Sequence, residues 1–122
     1  MDYSKLSDFE INRAVAIAIG FHPDECDIAK RGSPSVGVEW NEDTGLPIRV
    51  FDYCNNPADA WPIITANKIS IYAMSEADKR GGWGAEAFHP NDAYSFNDNP
   101  LRAAMIVFLM MQGSANVQDN PA

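Results

Sequence analysis

The sequence has few cysteines, and it contains no long hydrophobic run. Cys26 and Cys54 are the only cysteines among its 122 residues, and they do not form a CxxC pair. Two thiols in a domain of this length do not make a disulfide framework, so we expect both to be reduced. The longest apolar stretch, residues 103–111, is far shorter than the ~20 residues that a bilayer span requires. No basic segment followed by an apolar one marks the N terminus as a signal peptide, so the sequence predicts a soluble protein of the cytosol.

Basic residues are scarce relative to acidic ones. Nine Lys and Arg residues stand against seventeen Asp and Glu residues, and the formal net charge is −8. The basic residues never gather beyond pairs, so no positive stripe offsets the repulsion between this charge and a phosphate backbone. We therefore expect no direct binding to nucleic acid. A basic protein partner is compatible with the charge, and so is a simple contribution to solubility.

The sequence also lacks the usual ligand sets of metals and cofactors. His22 and His89 each precede a proline, and their spacing relative to the two cysteines matches no zinc-finger pattern. The acidic stretch 24–27 has no glycine turn of the kind that a calcium loop needs. The glycine-rich stretch 81–84 is not followed by Lys-Ser or Lys-Thr, as a phosphate-binding loop would be. The sequence thus predicts neither a metal nor a cofactor.

The first helix has clear start and stop signals. Ser7 and Glu10 have the spacing of a capping box, in which each residue bonds the backbone N–H of the other. Gly20 supplies a stop because glycine adopts the left-handed conformation that ends many helices. These signals predict a helix over residues 8–19.

A second helix is predicted after an Asn-Pro pair. Asn56 and Pro57 are a common helix opening, but Pro62 would then lie deep in the helix, where proline costs ~3 kcal/mol. We therefore place an entry turn at residues 56–59. Asp59 is then predicted to cap a helix over residues 60–67.

The third helix follows another Asn-Pro pair, at residues 99 and 100. Residues 101–111 are apolar nearly all round, which predicts a helix buried on most sides. Gly113 is predicted to close it. Residues 114–122 are predicted to be a disordered tail.

Strand patterns occur in the first half of the chain. Residues 36–40 alternate between apolar and other residues, and the β-rich run 48–53 follows a turn at residues 41–45, so the two runs predict an antiparallel hairpin. Residues 69–74 are a possible third strand, and residues 76–88 are a loop or a short strand. The predicted fold class is α+β: three helices packed on a small antiparallel sheet, in a single domain over residues 1–113.

Three segments resemble the NinX-like proteins of tailed bacteriophages and their prophages, a family of unknown function. They are Asp-Tyr-Ser-Lys-Leu-Ser-Asp at 2–8, Tyr-Cys-Asn-Asn-Pro-Ala-Asp-Ala-Trp-Pro-Ile-Ile at 53–64 and Asn-Pro-Leu-Arg-Ala-Ala-Met at 99–105. The resemblance spans nearly the whole chain in the same order. It implies a phage accessory protein acting in the cytoplasm of the bacterial host. It implies no activity and transfers no catalytic residue.

The segment 55–61 is the best candidate for a working surface. It combines two adjacent amides, a proline-fixed turn, a carboxylate and a tryptophan, and functional groups are often carried by such connecting segments. With nearby aromatic residues, the candidate binding residues are Tyr53, Asn55, Asn56, Asp59, Trp61 and Trp83. The structural alternative makes Asn56 and Asp59 mere caps and places Trp61, Trp83 and Trp40 between sheet and helices.

Three function classes remain open. The leading hypothesis is a non-enzymatic interaction module that modulates an unidentified host or phage protein. The first alternative is a small enzyme that uses Cys54 as a nucleophile with His22 or His89 as its base, against which stands a buried structural cysteine. The second is an acidic mimic of DNA, which requires carboxylates in a duplex-like row. The carboxylates here are dispersed over the sequence at Asp24, Asp27, Glu39, Glu42, Asp43 and Glu86.

Overall fold

Three α-helices, two short 3-10 helices (Tyr3–Lys5 and Pro23–Glu25) and two small sheets make up the computed structural model, which describes the backbone of residues 2–117 and side chains as far as residue 112. The helices are α1 (Asp8–Ala18), α2 (Pro57–Ala66) and α3 (Pro100–Val117). The strands are β1 (Asp27–Ile28), β2 (Val36–Trp40), β3 (Pro47–Phe51), β4 (Ser70–Ala73), β5 (Trp83–Ala87) and β6 (Ala93–Asn97). The α+β class is therefore confirmed. Within this part of the chain, no helix is both long enough and apolar enough to cross a membrane.

The strands form two antiparallel sheets rather than the single sheet that was predicted. One has the order β1-β2-β3 and contains the predicted hairpin, with Val38 opposite Arg49. The possible third strand is indeed a strand, β4, but it belongs to the second sheet, whose order is β4-β5-β6. Its central strand, β5, lies within residues 76–88, which were predicted to be a loop or a short strand. The sequence does not predict the sheet itself, because in β5 a tryptophan is followed by Gly, Ala and Glu, residue types that are depleted in strands.

One glycine in the second sheet and one just before β5 are needed because other groups approach their backbone closely. A Cβ atom at Gly84 would overlap the ring of Tyr72, which lies across β5 from the neighbouring strand. Gly81 adopts a φ of 125°, and a Cβ atom there would lie 2.6 Å from the carbonyl carbon of Asn97. Both positions are therefore restricted to glycine by sterics.

Helix α1 begins as predicted. The Ser7 hydroxyl accepts from the Glu10 N–H at 3.1 Å, and the Glu10 carboxylate accepts from the Ser7 N–H at 2.9 Å. The helix ends at Ala18, one residue earlier than predicted. Its buried side includes Ile11 and Val15, which are fully inaccessible to solvent.

Helix α2 begins three residues earlier than predicted, so the assignment of Asp59 as its cap is wrong. Asn56 is the N-cap, and its side-chain oxygen accepts from the Ala58 N–H at 3.0 Å. The carboxylate of Asp59 instead accepts from the backbone N–H of Asp52 at 2.9 Å. Pro62 therefore lies inside the helix, where it has no N–H to donate to the carbonyl of Ala58.

Helix α3 lies at the centre of the molecule. It packs against β5 and β6 and also against α1 and α2, and every residue from 103 to 109 is buried. The predicted burial on most sides is confirmed. The helix continues past Gly113 to Val117, which corrects its predicted end; a glycine inside a helix costs only ~1 kcal/mol. Residues 118–122 of the predicted tail lie outside the described residues.

Candidate interaction surface

A network of polar side chains fixes the loop that precedes α2. Asn12 of α1 is completely buried, and its amide nitrogen donates to the Asp52 carboxylate and to the Pro34 carbonyl, each at 2.9 Å. Its amide oxygen accepts from the Cys54 N–H at 3.0 Å. Since all the bonding capacity of this amide except one lone pair is used, the buried asparagine is stabilising and sets the path of the loop.

Asn55 connects this loop to two helices. Its amide nitrogen lies 3.1 Å from Asp8 Oδ2 and 3.1 Å from Asp52 Oδ1, and its oxygen accepts from the Asn99 amide at 3.1 Å. The Asn99 amide also donates to the Cys54 carbonyl at 2.8 Å. Asn55 is exposed, as expected of a surface residue, but its polar atoms already hold the fold together.

Arg102 completes the network from the first turn of α3. Its guanidinium donates to Asp8 Oδ1 at 2.7 Å and to the carbonyl of Leu6 at 2.7 Å. Neither composition nor periodicity distinguishes this arginine from the others in the sequence. The only signal was its place in the 99–105 segment that carried the family resemblance.

Tyr53 is a core residue, although it was predicted to belong to the binding surface. Only 2% of it is exposed, and its ring stacks on that of Phe51 with centroids 5.3 Å apart. Burial, followed by the nearby carboxylate of Asp59, raises the pKa of its hydroxyl far above the ordinary value. The hydroxyl has no hydrogen-bond partner among the described residues. Tyr53 therefore supports the surface from below.

Cys54 occupies a position that suits structure better than catalysis. The residue is completely buried, and its burial, together with the carboxylate of Asp8, raises the pKa of the thiol to about 12. A nucleophilic cysteine needs accessibility and a lowered pKa. In the described part of the chain no histidine bonds to this thiol, and the Nδ1 atom of His22 accepts instead from the Asp24 N–H at 3.1 Å. Both cysteines are free and buried, as expected of reduced thiols.

The outer face of α2 is exposed and carries no charge. Ala58, Trp61, Pro62 and Thr65 follow the i, i+3, i+4, i+7 spacing of one helix face, and all are exposed. Trp61 is 61% exposed, so it is not the core residue of the structural alternative. The one charged side chain of the helix, Asp59, is directed to the Asp52 backbone. We call the surface formed by Ala58, Trp61, Pro62 and Thr65 the α2 face. The helix itself ends at Ala66.

The remaining tryptophans have different environments. Trp83, at the start of β5, is 37% exposed and belongs to a different element from Trp61. Trp40 is half-buried, and its indole N–H donates to the Glu25 carbonyl at 2.8 Å, which agrees with a structural role. Of the candidate binding residues, Trp61 therefore has the largest accessible aromatic surface. In the described residues, no group of three or more Asp, Glu, His or Cys side chains could hold a metal ion.

Comparison with known proteins identifies both a family and a related fold. The model of the family described as bacteriophage P22 NinX matches residues 2–112. No curated protein matches the chain by sequence. A 2.0 Å crystal structure of a phage protein from Bacillus cereus ATCC 14579 is similar in fold, with a TM-score of 0.59 over 88% of this chain and 89% of that one. Because the identity is only 15%, this similarity concerns the fold alone.

Proposed function

This chain belongs to the bacteriophage P22 NinX family, and from that premise we propose that it is a phage accessory protein that acts by binding another protein. Its partner is a host or phage protein in the cytoplasm of the infected bacterium. The α2 face is the contact surface, with Trp61 as its anchor. The binding is non-enzymatic and modulates the activity of the partner.

The exposure of Trp61 on an uncharged helix face is the observation that carries this proposal. A surface helix normally presents charged and polar side chains to water, and a fifth of this chain is charged, yet the α2 face has no charged residue. Tryptophan is among the residues most enriched at the energetic centres of interfaces. Covering the exposed part of its side chain would contribute about 3 kcal/mol at the usual value per unit of apolar area.

The side chains next to Trp61 also favour a contact surface. Ala58 and Pro62 are small or rigid, so a partner can approach the indole closely without ordering long side chains. Thr65 donates its hydroxyl to the Trp61 carbonyl at 3.1 Å, which leaves no hydroxyl donor to be stripped of water on binding. The indole N–H can serve as the polar contact.

The predicted residues around Trp61 contribute rigidity in this proposal. Asn56 caps α2, Asp59 fixes it to the preceding loop, and Asn55 joins that loop to α1 and α3. A surface held in this way loses little conformational entropy when a partner binds. The segment 55–61 thus remains the proposed working region, with the contacts made from the helix face.

A pull-down with matched variants tests the proposal. The tagged chain is expressed in bacteria during infection by a phage that encodes a protein of this family. The proteins retained by the tagged chain are then compared between wild type, Trp61→Ala and Tyr94→Ala. Tyr94 is 60% exposed on β6, which makes it a control with nearly the same exposure as Trp61. We expect Trp61→Ala to lose a specific partner with an unchanged melting temperature, while Tyr94→Ala keeps that partner. Equal capture by both variants would contradict the proposal.

A third variant separates the interaction module from a thiol enzyme. Cys54→Ala removes the nucleophile. Once its folding has been verified, we expect this variant to retain the partner and to have the same effect on phage infection as the wild-type chain, which we call the infection phenotype. Loss of the phenotype by a folded Cys54→Ala protein would favour the enzyme alternative. If the captured partner were instead a basic nucleic-acid-binding protein, held in a salt-sensitive way and independently of Trp61, the acidic mimic would be favoured.

A further inference from the structure

A second feature of the molecule is a surface cavity of about 460 Å³ beyond the C-terminal end of α2. Its apolar walls are Phe88, Pro90, Ala66 and Met111, and its polar lining comes from Asn67, Lys68 and His89. Small-molecule sites usually have volumes of this order and combine mostly apolar walls with a few polar groups. Phe88 is 60% exposed, so an aromatic side chain is presented to solvent at this cavity.

Lys68 occupies a backbone position that disfavours lysine. It directly follows the C-cap of α2 and has a φ of 53°, in the left-handed region that glycine or asparagine adopts most easily. Lysine is less favourable there than glycine by about 1 kcal/mol. The sequence nevertheless places a cation at this point, on the edge of an apolar cavity. Among the described residues, the non-glycine residues with a positive φ are Glu39 and Lys68, and Lys68 is the one that lines this cavity. Such a residue is a candidate for a functional position.

The charges of the cavity indicate the ligand. Among the described side chains, neither Lys68 nor His89 forms an ion pair with a carboxylate, although the chain as a whole is strongly acidic. The C-terminal end of a helix repels anions through its carbonyl groups. Here the carbonyls of Ile63, Ile64 and Thr65 already accept backbone hydrogen bonds, which weakens their repulsion of an anion near the ammonium group of Lys68.

From this arrangement we propose that the cavity between α2 and the β5–β6 turn binds a small molecule with an apolar, preferably aromatic, body and an anionic head group. The body packs between Phe88, Pro90 and Met111. The carboxylate, phosphate or sulfonate of the head group accepts from Lys68 Nζ and from the imidazole of His89. This site is separate from the proposed protein contact at Trp61, and either can fail without the other.

The test uses three probes of the same shape with different head groups: 4-phenylbutyrate, 4-phenylbutan-1-ol and 4-phenylbutylamine. Each is titrated into the isotopically labelled full-length protein, and backbone amide shifts are followed by NMR. We expect saturable binding of the carboxylate, with shifts centred on Asn67, Lys68, Phe88 and His89, at least tenfold tighter than binding of the alcohol or the amine. Equal affinities for the three probes, shifts located elsewhere, or no saturation by the carboxylate would overturn the proposal.

The variant Lys68→Gly separates binding from folding. Because glycine suits this backbone position, the variant should be at least as stable as the wild type, and it should bind phenylbutyrate at least tenfold more weakly because a hydrogen bond to a charged group is lost. Lys30→Gly, at an exposed loop lysine, is the matched control and should leave binding unchanged. Phe88→Ala removes an exposed wall and should weaken all three probes. A Lys68→Gly protein that bound the carboxylate as tightly as the wild type would end the proposal.

Discussion

The guanidinium of Arg102 donates to the carboxylate of Asp8 at 2.7 Å and thereby joins the first turns of α3 and α1, which are 94 residues apart in the chain. Only 12% of the Arg102 side chain is exposed, and the same group also donates to the Leu6 carbonyl. One side chain therefore holds together the N-terminal segment, α1 and the central helix α3.

Replacing Arg102 tests the importance of this junction. Arg102→Met keeps the apolar stem but removes the donor to the Leu6 carbonyl and to Oδ1 of Asp8, while the Asn55 amide still donates to Oδ2. We expect a loss of about 2 kcal/mol in the free energy of unfolding, measured by urea denaturation, because hydrogen bonds to charged groups contribute 1.5–3 kcal/mol and Asp8 retains some access to water. Arg31→Met, at an exposed arginine, should change stability by less than about 0.5 kcal/mol. Similar losses of unfolding free energy in both variants would show that the contacts of Arg102 contribute no more to stability than those of an exposed arginine.

Asn55 provides a second prediction because its amide lies between the carboxylates of Asp8 and Asp52. Asn55→Ala should cost about 1 kcal/mol, since water can replace part of the lost bonding at this exposed residue. Asn55→Asp should cost more at pH 7, because it places a third negative charge beside two others.

The pH dependence of the Asn55→Asp variant has a definite sign. Neighbouring carboxylates raise the folded-state pKa of the introduced carboxyl, so its penalty is absent when the group is protonated and grows as the pH rises through that pKa. The difference in stability between Asn55→Asp and Asn55→Ala, measured by urea denaturation, should therefore shrink from pH 7 to pH 3. A difference that stayed constant over this range would show that the three side chains do not interact.

A third prediction concerns alkaline pH. Burial raises the pKa of the Cys54 thiol from 9.0 to about 12, and it also raises that of Tyr53. Between pH 9 and 12 the unfolded chain releases a thiol proton that the native protein retains. The contribution of the neutral thiol is thus fully present below pH 9 and is lost as the pH rises towards 12, by at most about 1.4 kcal/mol per unit.

Denaturation at several pH values checks this expectation. The free energy of unfolding should fall as the pH rises in this window. Cys54→Ala should reduce the slope of this free energy against pH by up to the equivalent of one bound proton, whatever its effect on stability at pH 7. Cys26→Ala is a matched control, since Cys26 is also buried but its pKa is raised less. An identical slope for wild type and Cys54→Ala would contradict the prediction.

The parts of the fold that could be predicted are those determined by local sequence. The capping box of Ser7 and Glu10 and the all-round apolar pattern of α3 each act within a few residues, and both predictions are confirmed. The second sheet could not be predicted because β5 is defined by its neighbours: Tyr72 covers Gly84, and the partner strands supply the hydrogen bonds. The predicted start of α2 is three residues too late because the prediction avoids a proline inside the helix, whereas the structure accommodates Pro62 there. The contact of the Asp59 carboxylate with the Asp52 N–H is one that sequence spacing does not reveal.

The candidate surface could also be predicted only in part: the sequence indicates the segment but not the role of each residue. The residue types of segment 55–61 indicate a contact surface. Sequence alone does not distinguish Asn55, whose amide bonds connect the loop with α1 and α3, from Trp61, whose exposed side chain can contact a partner. A usable signal was present in the spacing of Ala58, Trp61, Pro62 and Thr65. An uncharged stripe at helical spacing becomes informative once the helix is known to begin at Pro57.

The last prediction concerns Pro62, the sixth residue of α2. Proline at such a position forfeits a backbone hydrogen bond and costs ~3 kcal/mol, of which about 1 kcal/mol is offset because proline also restricts the unfolded chain. Pro62→Ala should therefore stabilise the protein by about 2 kcal/mol in urea denaturation, since the side chain is exposed and little packing is lost. Pro57→Ala is the matched control: Pro57 is the first residue of the helix, where proline costs no hydrogen bond, so no gain is expected. If the α2 face binds the partner, Pro62→Ala should also weaken capture while stability rises. A destabilised Pro62→Ala protein, or an equal gain from Pro57→Ala, would contradict this account of the helix.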